Sequence, residues 1–506
     1  MQEKIISFKE LPAIVEQLRK DKKTIVHCHG IFDLLHIGHI RHLQHASNMG
    51  DVLLVTVTPD EFVRKGNHRP IFAADLRVQG LAALDCVKYV AINETETALE
   101  AIGIIRPDMY VKGQDFHDGE KADDVNFERE KAAVLGLGGQ VRFTDDFFFS
   151  SSSLINRYLP VFPKEVSDYL LSFATRHRVS DITNYLKTAH DLKVLVIGET
   201  IIDEYQYCQA IGKSSKEPTL VVKKTSEELF AGGILAVANH VASFTDQVTM
   251  ITMVGSDNKY TNFIQSKLNP NIRAIFLPKQ NSPTIVKRRF VESYFMTKMF
   301  EVYEIDDSPL NQANDQQLCN LLEEHVPRAD LVIVTDFGHT MMSKTAIDIV
   351  TTKSRFLALN VQSNAGNMGY HTISQYPCAD FISISENETR LEARDKQSDL
   401  KGIVLELCNK LNCKHFTVTR GKNGSLCYSK DEGFFHIPAL ASHVVDRIGA
   451  GDASLSISSL CVAQQAPMEI VGFIGNAAGS QAVATMGNRE PIGSELLTRY
   501  IESLLR

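Results

Sequence analysis

The chain has 506 residues, of which 44% are hydrophobic and 23% are charged. At about 100–200 residues per domain, this length predicts two or three globular units, and the composition excludes a disordered or collagen-like chain. The net charge of −8 includes no basic excess that would favour nucleic acid as the main partner. No uncharged apolar run reaches the roughly 18 residues that a membrane span needs, so no membrane partner is expected.

Nine cysteines are scattered along the chain, and no two of them form a CxxC pair. Their odd number and their spacing argue against both a disulfide framework and a four-cysteine zinc site. The N-terminal segment lacks the apolar core of a signal peptide. We therefore expect a cytoplasmic protein whose cysteines are reduced and buried.

Residues 1–160 alternate short β-branched runs with helical stretches, and this alternation predicts an α/β domain with a parallel sheet. The predicted strands are 24–32, 51–59, 87–92, 108–113 and 140–145. Residues 161–190 contain two amphipathic stretches and no strand pattern, so a helical linker is predicted there.

Alternation resumes in residues 191–506, which predicts a second α/β domain. Strands also cluster at 204–224 and 284–306 without a long helix inside either cluster. Such strand-only insertions predict a β flap that projects from the second domain.

The first group of chemically active residues is HCHGIFDLLHIGHIRHL, directly after a predicted strand. His36 and His39 are three residues apart, so they share one face of the helix that begins there. A helix N-terminus beside two imidazoles suits a phosphate, and Gly38 lets a nucleotide approach the backbone closely. Although six histidines crowd residues 27–45, no cysteine or carboxylate cluster completes a metal site.

GIFDLLHIGH matches the GxFDxxHxGH signature of the cytidylyltransferase-like nucleotidyltransferases, and KGNHRP, LRVQGLAALDCVKYV, VKGQDF and SSSSLINR follow in that family's order. The resemblance implies a Rossmann-like domain in which a phosphate oxygen attacks the α-phosphorus of ATP or CTP and releases pyrophosphate, with Mg²⁺ offsetting the phosphate charge. It implies His36, His39 and Lys65 as catalytic residues. The implied nucleotide contacts are Gly30, Phe32, Asp33, Gly38, Arg69, Arg77, Ser151 and Ser152.

The second group is VVDRIGAGDASLS, residues 444–456. Gly449, Ala450 and Gly451 can present successive backbone N–H groups to an anion, and Asp452 follows them directly. A carboxylate beside an anion hole suits phosphoryl transfer to a hydroxyl, because the carboxylate accepts the hydroxyl proton while the amides receive the phosphoryl charge.

This string, together with AGGILAVANHVASF, TVTRGKNGS and GNAAGSQAV, resembles the ribokinase-like sugar kinases. The resemblance implies that Asp452 is the catalytic base, with Gly449, Ala450 and Gly451 as the anion hole. The implied sugar contacts are Asp203, Gly232 and Gly233. The implied nucleotide contacts are Asn387, Thr419, Gly421, Gly424 and Asn476. Flaps of that family often meet across a dimer interface, so a homodimer is also implied.

The two halves together resemble the bifunctional heptose 7-phosphate kinase/heptose 1-phosphate adenylyltransferases, with the domains in reversed order. The implied function is phosphorylation of a sugar or sugar phosphate, followed by nucleotidyl transfer from ATP or CTP to the sugar 1-phosphate.

Two alternatives stay open. A polyol-phosphate cytidylyltransferase would share GxFDxxHxGH. The kinase-like half could instead be a non-catalytic sugar-binding or dimerisation module, because Arg390 stands where the family's Asn-x-x-Glu motif has its carboxylate and Ala236 where an asparagine is usual.

Overall fold

The protein folds into two compact units, residues 1–161 and 162–506. The computed structural model describes residues 4–63, 70–113, 125–144 and 162–505. Four of the predicted site residues lie outside the described residues: Lys65, Arg69, Ser151 and Ser152.

The first unit is built on a five-stranded parallel sheet in the order β3-β2-β1-β4-β5. Its strands are β1 (Ile25–Gly30), β2 (Val52–Val57), β3 (Tyr89–Ile92), β4 (Met109–Gly113) and β5 (Gln140–Thr144). Its helices are α1 (Leu11–Lys20), α2 (Ile37–Ser47), α3 (Ala74–Ala82), α4 (Leu99–Ile105) and α5 (Val125–Gly136). All six residues of β2 are buried, which is typical of a parallel strand covered on both faces. The predicted parallel sheet is confirmed.

The second unit contains a twelve-stranded sheet. Its strands are β6 (Lys193–Lys213), β7 (Leu220–Gly233), β8 (Gln247–Gly255), β9 (Ile272–Lys279), β10 (Ile285–Glu292), β11 (Thr297–Glu304), β12 (Leu331–Asp336), β13 (Leu357–Val361), β14 (Phe381–Ser385), β15 (His415–Thr419), β16 (Ser425–Ser429) and β17 (Gly433–Ile437). Its helices are α6 (Lys164–Arg176), α7 (Val179–Thr188), α8 (Ile234–Ala242), α9 (Thr261–Lys267), α10 (Gln312–His325), α11 (Lys344–Lys353), α12 (Glu386–Ala393), α13 (Leu400–Lys410), α14 (Ala450–Ala463), α15 (Met468–Ala482) and α16 (Ser494–Leu504).

Strand β6 joins the body of this unit to the predicted flap. Its first part, residues 193–199, runs parallel to β8 and β12 in the central sheet. Its remaining length pairs antiparallel with β7 and parallel with β10, and β10 in turn pairs antiparallel with β11. Because one continuous strand spans both parts, side chains near residues 199–204 lie where the central sheet meets the flap.

The segment predicted as a helical linker forms α6 and α7, and both helices pack into the second unit. Phe173 of α6 is fully buried, and its ring stacks on Phe473 of α15 with 4.4 Å between the ring centroids. Ile182 of α7 belongs to the same hydrophobic core. No helix among the described residues has the length and apolar character required to cross a membrane.

We predict that Phe173→Ala lowers the stability of the second unit by about 3–5 kcal/mol, because it removes a buried aromatic ring and leaves a cavity. Hydrogen exchange measured by mass spectrometry reports the two units separately. The matched control is Leu171→Ala on the same helix, since Leu171 is 70% exposed and its loss should change stability by less than about 0.5 kcal/mol. If the second unit is equally protected from hydrogen exchange in Phe173→Ala and Leu171→Ala, the packing of α6 into this core is contradicted.

Candidate active sites

The two histidines of the first motif lie side by side where α2 begins, just after β1. His36 is the N-cap residue of α2, and its Nδ1 accepts a hydrogen bond from the backbone N–H of Gly38 at 3.1 Å. The rings of His36 and His39 are 4.0 Å apart between centroids. Burial lowers the pKa of His36, which favours its neutral form. The structure therefore brings two imidazoles together at a helix N-terminus, the arrangement that suits a phosphate.

Phe32 and Asp33, both predicted to contact the nucleotide, are buried in the first unit. Phe32 packs in the hydrophobic core, and its ring meets the ring of His39 edge-on at 5.5 Å. Asp33 accepts hydrogen bonds from the backbone N–H groups of Ile71 and Phe72 at 3.0–3.1 Å. Phe32 thus supports His39, and Asp33 fixes the chain that enters α3, while their predicted contacts with a nucleotide stay a prediction. Gly30 is the last residue of β1, and a side chain there would come within 3.2 Å of the Phe32 ring.

Arg77 is held by several partners within the first unit. Its guanidinium is fully buried and donates to the backbone carbonyls of Phe72, Ile31 and Thr58, and it also pairs with Asp60 at 2.6 Å. With every nitrogen engaged by the protein, the side chain is a structural anchor for the loops around the histidine pair. Its predicted contact with the nucleotide stays a prediction.

A buried polar network on β1, β2 and β4 was missed by sequence reasoning. His29 contacts the Thr56 hydroxyl through Nδ1 at 2.8 Å, and burial lowers the pKa of His29 to about 3. Glu130 of α5 accepts hydrogen bonds from Tyr110 at 2.8 Å and pairs with Lys112 at 3.1 Å. This network fixes the strand ends that carry the first motif.

In the second unit, the glycine turn lies at the N-terminus of α14. Gly449 is the N-cap residue with φ +83°, and a side chain there would come within 1.9 Å of Asn488 Oδ1, so only glycine fits. Ala450 begins the 14-residue helix, and Gly451 is surrounded by open space. The first backbone N–H groups of a helix have no partner within the helix. The predicted anion hole therefore coincides with a helix N-terminus.

Asp452 lies in the first turn of α14, where its side chain is partly buried. Its Oδ1 accepts a hydrogen bond from Gln362 Nε2 at 2.9 Å. Burial, and then the charge of Asp203, raise the pKa of Asp452 to about 7, while Gln362 and Lys287 act in the opposite direction. A carboxylate with a pKa near neutrality is well matched to taking a proton from a hydroxyl.

Asp203 and the two predicted sugar-contact glycines form one tightly packed corner. Asp203 is buried and accepts a hydrogen bond from Arg289. A side chain at Gly232 would come within 2.2 Å of Asp203 Oδ2, and one at Gly233, whose φ is +55°, would come within 2.7 Å of the Glu199 carbonyl. Glycine at both positions is thus what lets Asp203 sit at this corner.

Lys287 is a residue of this site that sequence reasoning missed. It lies on β10 directly beside Asp203 in the parallel register, and the charges of Asp203, Glu199 and Asp452 all act on it. Burial lowers the pKa of its ammonium group. Its Nζ lies 5.6 Å from the ring centroid of Tyr303 and 6.0 Å from that of Phe337, and within the described residues this ammonium forms no ion pair. Lys287 lies beside Asp203 only because β10 pairs with β6 in the flap, and the sequence alone does not predict this pairing.

Asp446 is a second missed residue, six positions before Asp452. Its buried carboxylate accepts hydrogen bonds from Tyr205 of β6, Lys298 of β11 and the backbone N–H groups of Ile448 and Gly487. One side chain thereby ties two flap strands to the glycine turn and to the loop after α15.

The predicted nucleotide contacts of the second unit lie at the ends of β14 and β15 and on α15. Thr419 ends β15, and Gly421 and Gly424 have φ of +55° and +73° in the turn that follows. Asn476 donates to Ser425 Oγ at 2.6 Å and to the Gly472 carbonyl at 3.2 Å, so its amide nitrogen is engaged within the fold. Asn387 is exposed in the first turn of α12.

The position that departs from the family's Asn-x-x-Glu motif has an observed partner. Arg390 pairs with Glu386 at 2.9 Å, and Arg420 pairs with the same carboxylate at 2.9 Å. Glu388 accepts hydrogen bonds from the backbone N–H groups of Ser363 and Ser385, and its charge contributes to the raised pKa of Asp452. Glu388 is therefore the acidic residue of this helix that acts on the site.

Family models match both halves of the chain. The model described as pfkB family carbohydrate kinase matches residues 191–494. The chain belongs to this family. The model described as cytidylyltransferase-like matches residues 27–157, the part that contains the histidine pair. The two-domain α/β interpretation of the sequence, with a nucleotidyltransferase-like half followed by a ribokinase-like half, is confirmed.

Curated relatives match in separate stretches. The bifunctional protein HldE of Nitratiruptor sp. is 44% identical over 121 residues, which are 24% of this chain and 26% of that protein. The bifunctional protein HldE of Bradyrhizobium diazoefficiens is 24% identical over 330 residues, 64% of this chain and 66% of that protein. The matched segments thus span from about a quarter to about two thirds of these relatives. Phosphofructokinase-2 from Escherichia coli in complex with potassium shares the fold at a TM-score of 0.50 and 15% identity, covering 62% of this chain and all of that one.

We predict that Arg77→Met destabilises the first unit by about 3 kcal/mol, because it leaves buried carbonyl groups and Asp60 without their donor. Hydrogen exchange of β1 and α3 measures this loss. The affinity of the folded fraction for nucleoside triphosphate should stay unchanged. Arg129→Met, at an exposed position of α5, is the control. A variant of normal stability with weakened triphosphate binding would instead show that Arg77 contacts the nucleotide.

Proposed function

We propose that the chain is a bifunctional enzyme that activates a sugar in two steps. The second unit phosphorylates a sugar or sugar phosphate of the heptose 7-phosphate type at its anomeric hydroxyl. The first unit then joins the sugar 1-phosphate to a nucleotide from ATP or CTP and releases pyrophosphate. Membership of the pfkB family and the similarity of both halves to bifunctional HldE proteins support this proposal.

The observation that carries the kinase assignment is Asp452 at the N-terminus of α14. In the proposed step the sugar hydroxyl gives its proton to the Asp452 carboxylate, its oxygen bonds to the γ-phosphorus of the nucleotide, and the bond to the β-phosphate oxygen breaks to release ADP. The N–H groups of residues 449–451 and the Lys287 ammonium receive the phosphoryl charge. Asp203, held by Arg289, orients the sugar.

The nucleotidyl step needs no base, because the nucleophile is already a phosphate oxygen. That oxygen bonds to the α-phosphorus, and pyrophosphate leaves. His36 and His39 stabilise the charge on the α-phosphate at the start of α2, an assignment that their 4.0 Å ring separation supports. Gly38 keeps the approach to this helix end open. Lys65, Arg69, Ser151 and Ser152 are proposed to hold the remaining phosphates.

Both steps are proposed to use Mg²⁺ bound to the triphosphate. Within the described residues no three His, Cys, Asp or Glu side chains gather into a metal cage. Mg²⁺ does not require such a cage, because that ion is commonly held by one or two protein carboxylates together with substrate phosphates and water. In the second unit Glu388, whose charge acts on Asp452, is the carboxylate proposed to hold the metal, and Asp452 stays free to act as the base. The metal would offset triphosphate charge, and the protein residues would align the reacting oxygen.

We propose a homodimer that forms through the flap. Large apolar side chains are exposed on the flap strands and their connections, notably Ile211, Leu220, Phe295 and Phe300. Burying such a surface against a second copy is favourable.

A cytoplasmic location is proposed because all nine cysteines are free, as expected in a reducing compartment.

A second candidate is a nucleotidyltransferase whose kinase-like half only binds sugar or dimerises. The observations that favour it are Ala236, which offers no hydrogen bond, and Arg390, which is paired with Glu386. The geometry around Asp452 favours the active kinase.

We predict that Asp452→Asn and His39→Ala separate the two activities. Phosphorus NMR with Mg²⁺, ATP and heptose 7-phosphate should show ADP formation reduced at least about 100-fold by Asp452→Asn, since the base is lost. Pyrophosphate release from a supplied sugar 1-phosphate should be unchanged in this variant. His39→Ala should abolish pyrophosphate release and leave ADP formation intact.

Asp431→Asn and His45→Ala, both at exposed positions, are the matched controls and should retain both activities. If the wild type and Asp452→Asn form ADP equally slowly with every sugar tested, the kinase assignment is wrong and the non-catalytic module is supported. If His39→Ala still releases pyrophosphate normally, the first site is misassigned.

A further inference from the structure

The two carboxylate oxygens of Asp452 have different surroundings. Oδ1 accepts a hydrogen bond from Gln362 Nε2 at 2.9 Å. Oδ2 has no hydrogen-bond donor among the described residues, and it does not belong to the unpartnered polar atoms that are sealed inside the fold. An ionised carboxylate can only accept hydrogen bonds. The contact with Gln362 therefore occupies one oxygen and leaves the other open to a hydroxyl proton.

Gln362 is held in place by the central sheet. It directly follows Val361, the last residue of β13, and its backbone N–H donates to the Asp336 carbonyl of β12 at 2.9 Å. Its side chain is half-buried and reaches Asp452, which lies 90 positions later in the first turn of α14. Because the sheet fixes the backbone of Gln362, the amide gives Asp452 a defined partner across the site.

The next residue in the chain holds a second carboxylate of the site. The backbone N–H of Ser363 donates to Glu388 Oε1 at 3.0 Å, and that of Ser385 donates to Glu388 Oε2 at 2.8 Å. Two consecutive residues after β13 therefore contact the proposed base and the carboxylate proposed to hold the metal. Their contacts fix how these two groups lie relative to each other.

The partner of Asp452 is neutral although charged groups surround it. The charges of Asp203 on β6 and Glu388 on α12 raise the pKa of Asp452, while Lys287 on β10 lowers it together with the Gln362 hydrogen bond. A cationic partner would favour the ionised carboxylate strongly and make it a weaker base. An amide carries no net charge, so it orients the carboxylate and leaves most of its basicity in place.

We propose that Gln362 is a positioning residue for phosphoryl transfer, whose amide holds Oδ1 of Asp452 and thereby directs Oδ2 to the sugar hydroxyl. The hydroxyl proton passes to Oδ2 as the hydroxyl oxygen bonds to the γ-phosphorus and ADP leaves, while Oδ1 keeps its hydrogen bond. This inference rests on the proposed function, because it names a residue for the kinase step.

The kinetic test is Gln362→Met, which keeps the length of the side chain and removes the amide. With Mg²⁺, ATP and sugar, kcat for ADP formation should fall about tenfold or more, because Asp452 is no longer aligned. KM for ATP and for sugar should stay within about twofold of the wild type. The inflection of kcat/KM should move to higher pH, since Gln362 lowers the pKa of Asp452. A merely structural role would not move this inflection.

Gln397→Met, at an exposed position between α12 and α13, is the matched control and should match the wild type in kcat and in pH profile. Hydrogen exchange of α14 should be equal in Gln362→Met and Gln397→Met, which shows that the glycine turn remains folded. Wild-type kcat and inflection in Gln362→Met would overturn the proposal, as would a change confined to KM.

A second measurement needs no activity. Carbon-13 NMR of the full chain, labelled at its aspartate carboxyl groups and free of substrate, follows the titration of Asp452, and Asp452→Asn identifies its signal. The midpoint should move to higher pH in Gln362→Met and stay in place in Gln397→Met. An unchanged midpoint in Gln362→Met would overturn the proposed contact. If the wild type forms no ADP with any sugar, the proposed function fails, and this titration still decides whether Gln362 holds Asp452.

Discussion

The structure of the second unit depends on gathering carboxylates where the central sheet meets the flap. Asp203, Glu199 and Asp336 are all buried, and the charge of Asp203 acts on Asp452. Removing carboxylates from water is costly unless donors compensate for the loss. Backbone N–H groups of residues 337 and 339 bind Glu199, while Arg289 binds Asp203. Burial nevertheless raises the pKa of both Glu199 and Asp452.

In the proposed function, both units use a helix N-terminus for phosphate chemistry but add different side chains. In α2 the added groups are two imidazoles, one of which caps the helix. In α14 the added group is a carboxylate. The difference follows from the nucleophile: a phosphate oxygen needs only neutralisation of charge, whereas a sugar hydroxyl must also lose a proton. A sugar 1-phosphate made at α14 would be the nucleophile required at α2.

Much of this arrangement is predictable from local sequence. The parallel strands are predicted from runs of β-branched residues. The glycine turn is predicted from nine consecutive residues, 444–452, which include Asp452. Contacts between distant segments are not predictable in this way. Arg77 bears the charge expected of a phosphate ligand, yet its guanidinium donates hydrogen bonds to the backbone carbonyls of residues 31 and 58. Lys287 joins the site only because β10 pairs with β6 at Asp203, 84 residues earlier in the chain.

The loop and linker positions illustrate the same limit. Asp33 lies inside the first motif, but its partners are backbone groups near residue 71 that no spacing rule identifies. The amphipathic pattern of 161–190 predicts helices correctly, while the packing of Phe173 on Phe473 depends on a residue 300 positions away. Periodicity indicates which face of a helix is apolar and leaves the partner of that face undetermined.

The central claim is that Asp452 acts as a base whose pKa is set by desolvation and neighbouring charge, and the pH dependence of kcat/KM for ADP formation tests it most directly. In the wild type kcat/KM should rise with pH through an inflection near pH 7, because the carboxylate must be deprotonated to accept the hydroxyl proton. Lys287→Met should move that inflection to higher pH, since the Lys287 charge lowers the pKa of Asp452. The pKa values of the substrate phosphates are the same with both proteins, so an inflection caused by the substrate would stay in place in Lys287→Met. A profile that is flat from pH 5.5 to 8.5, or an inflection that Lys287→Met leaves in place, would contradict the account.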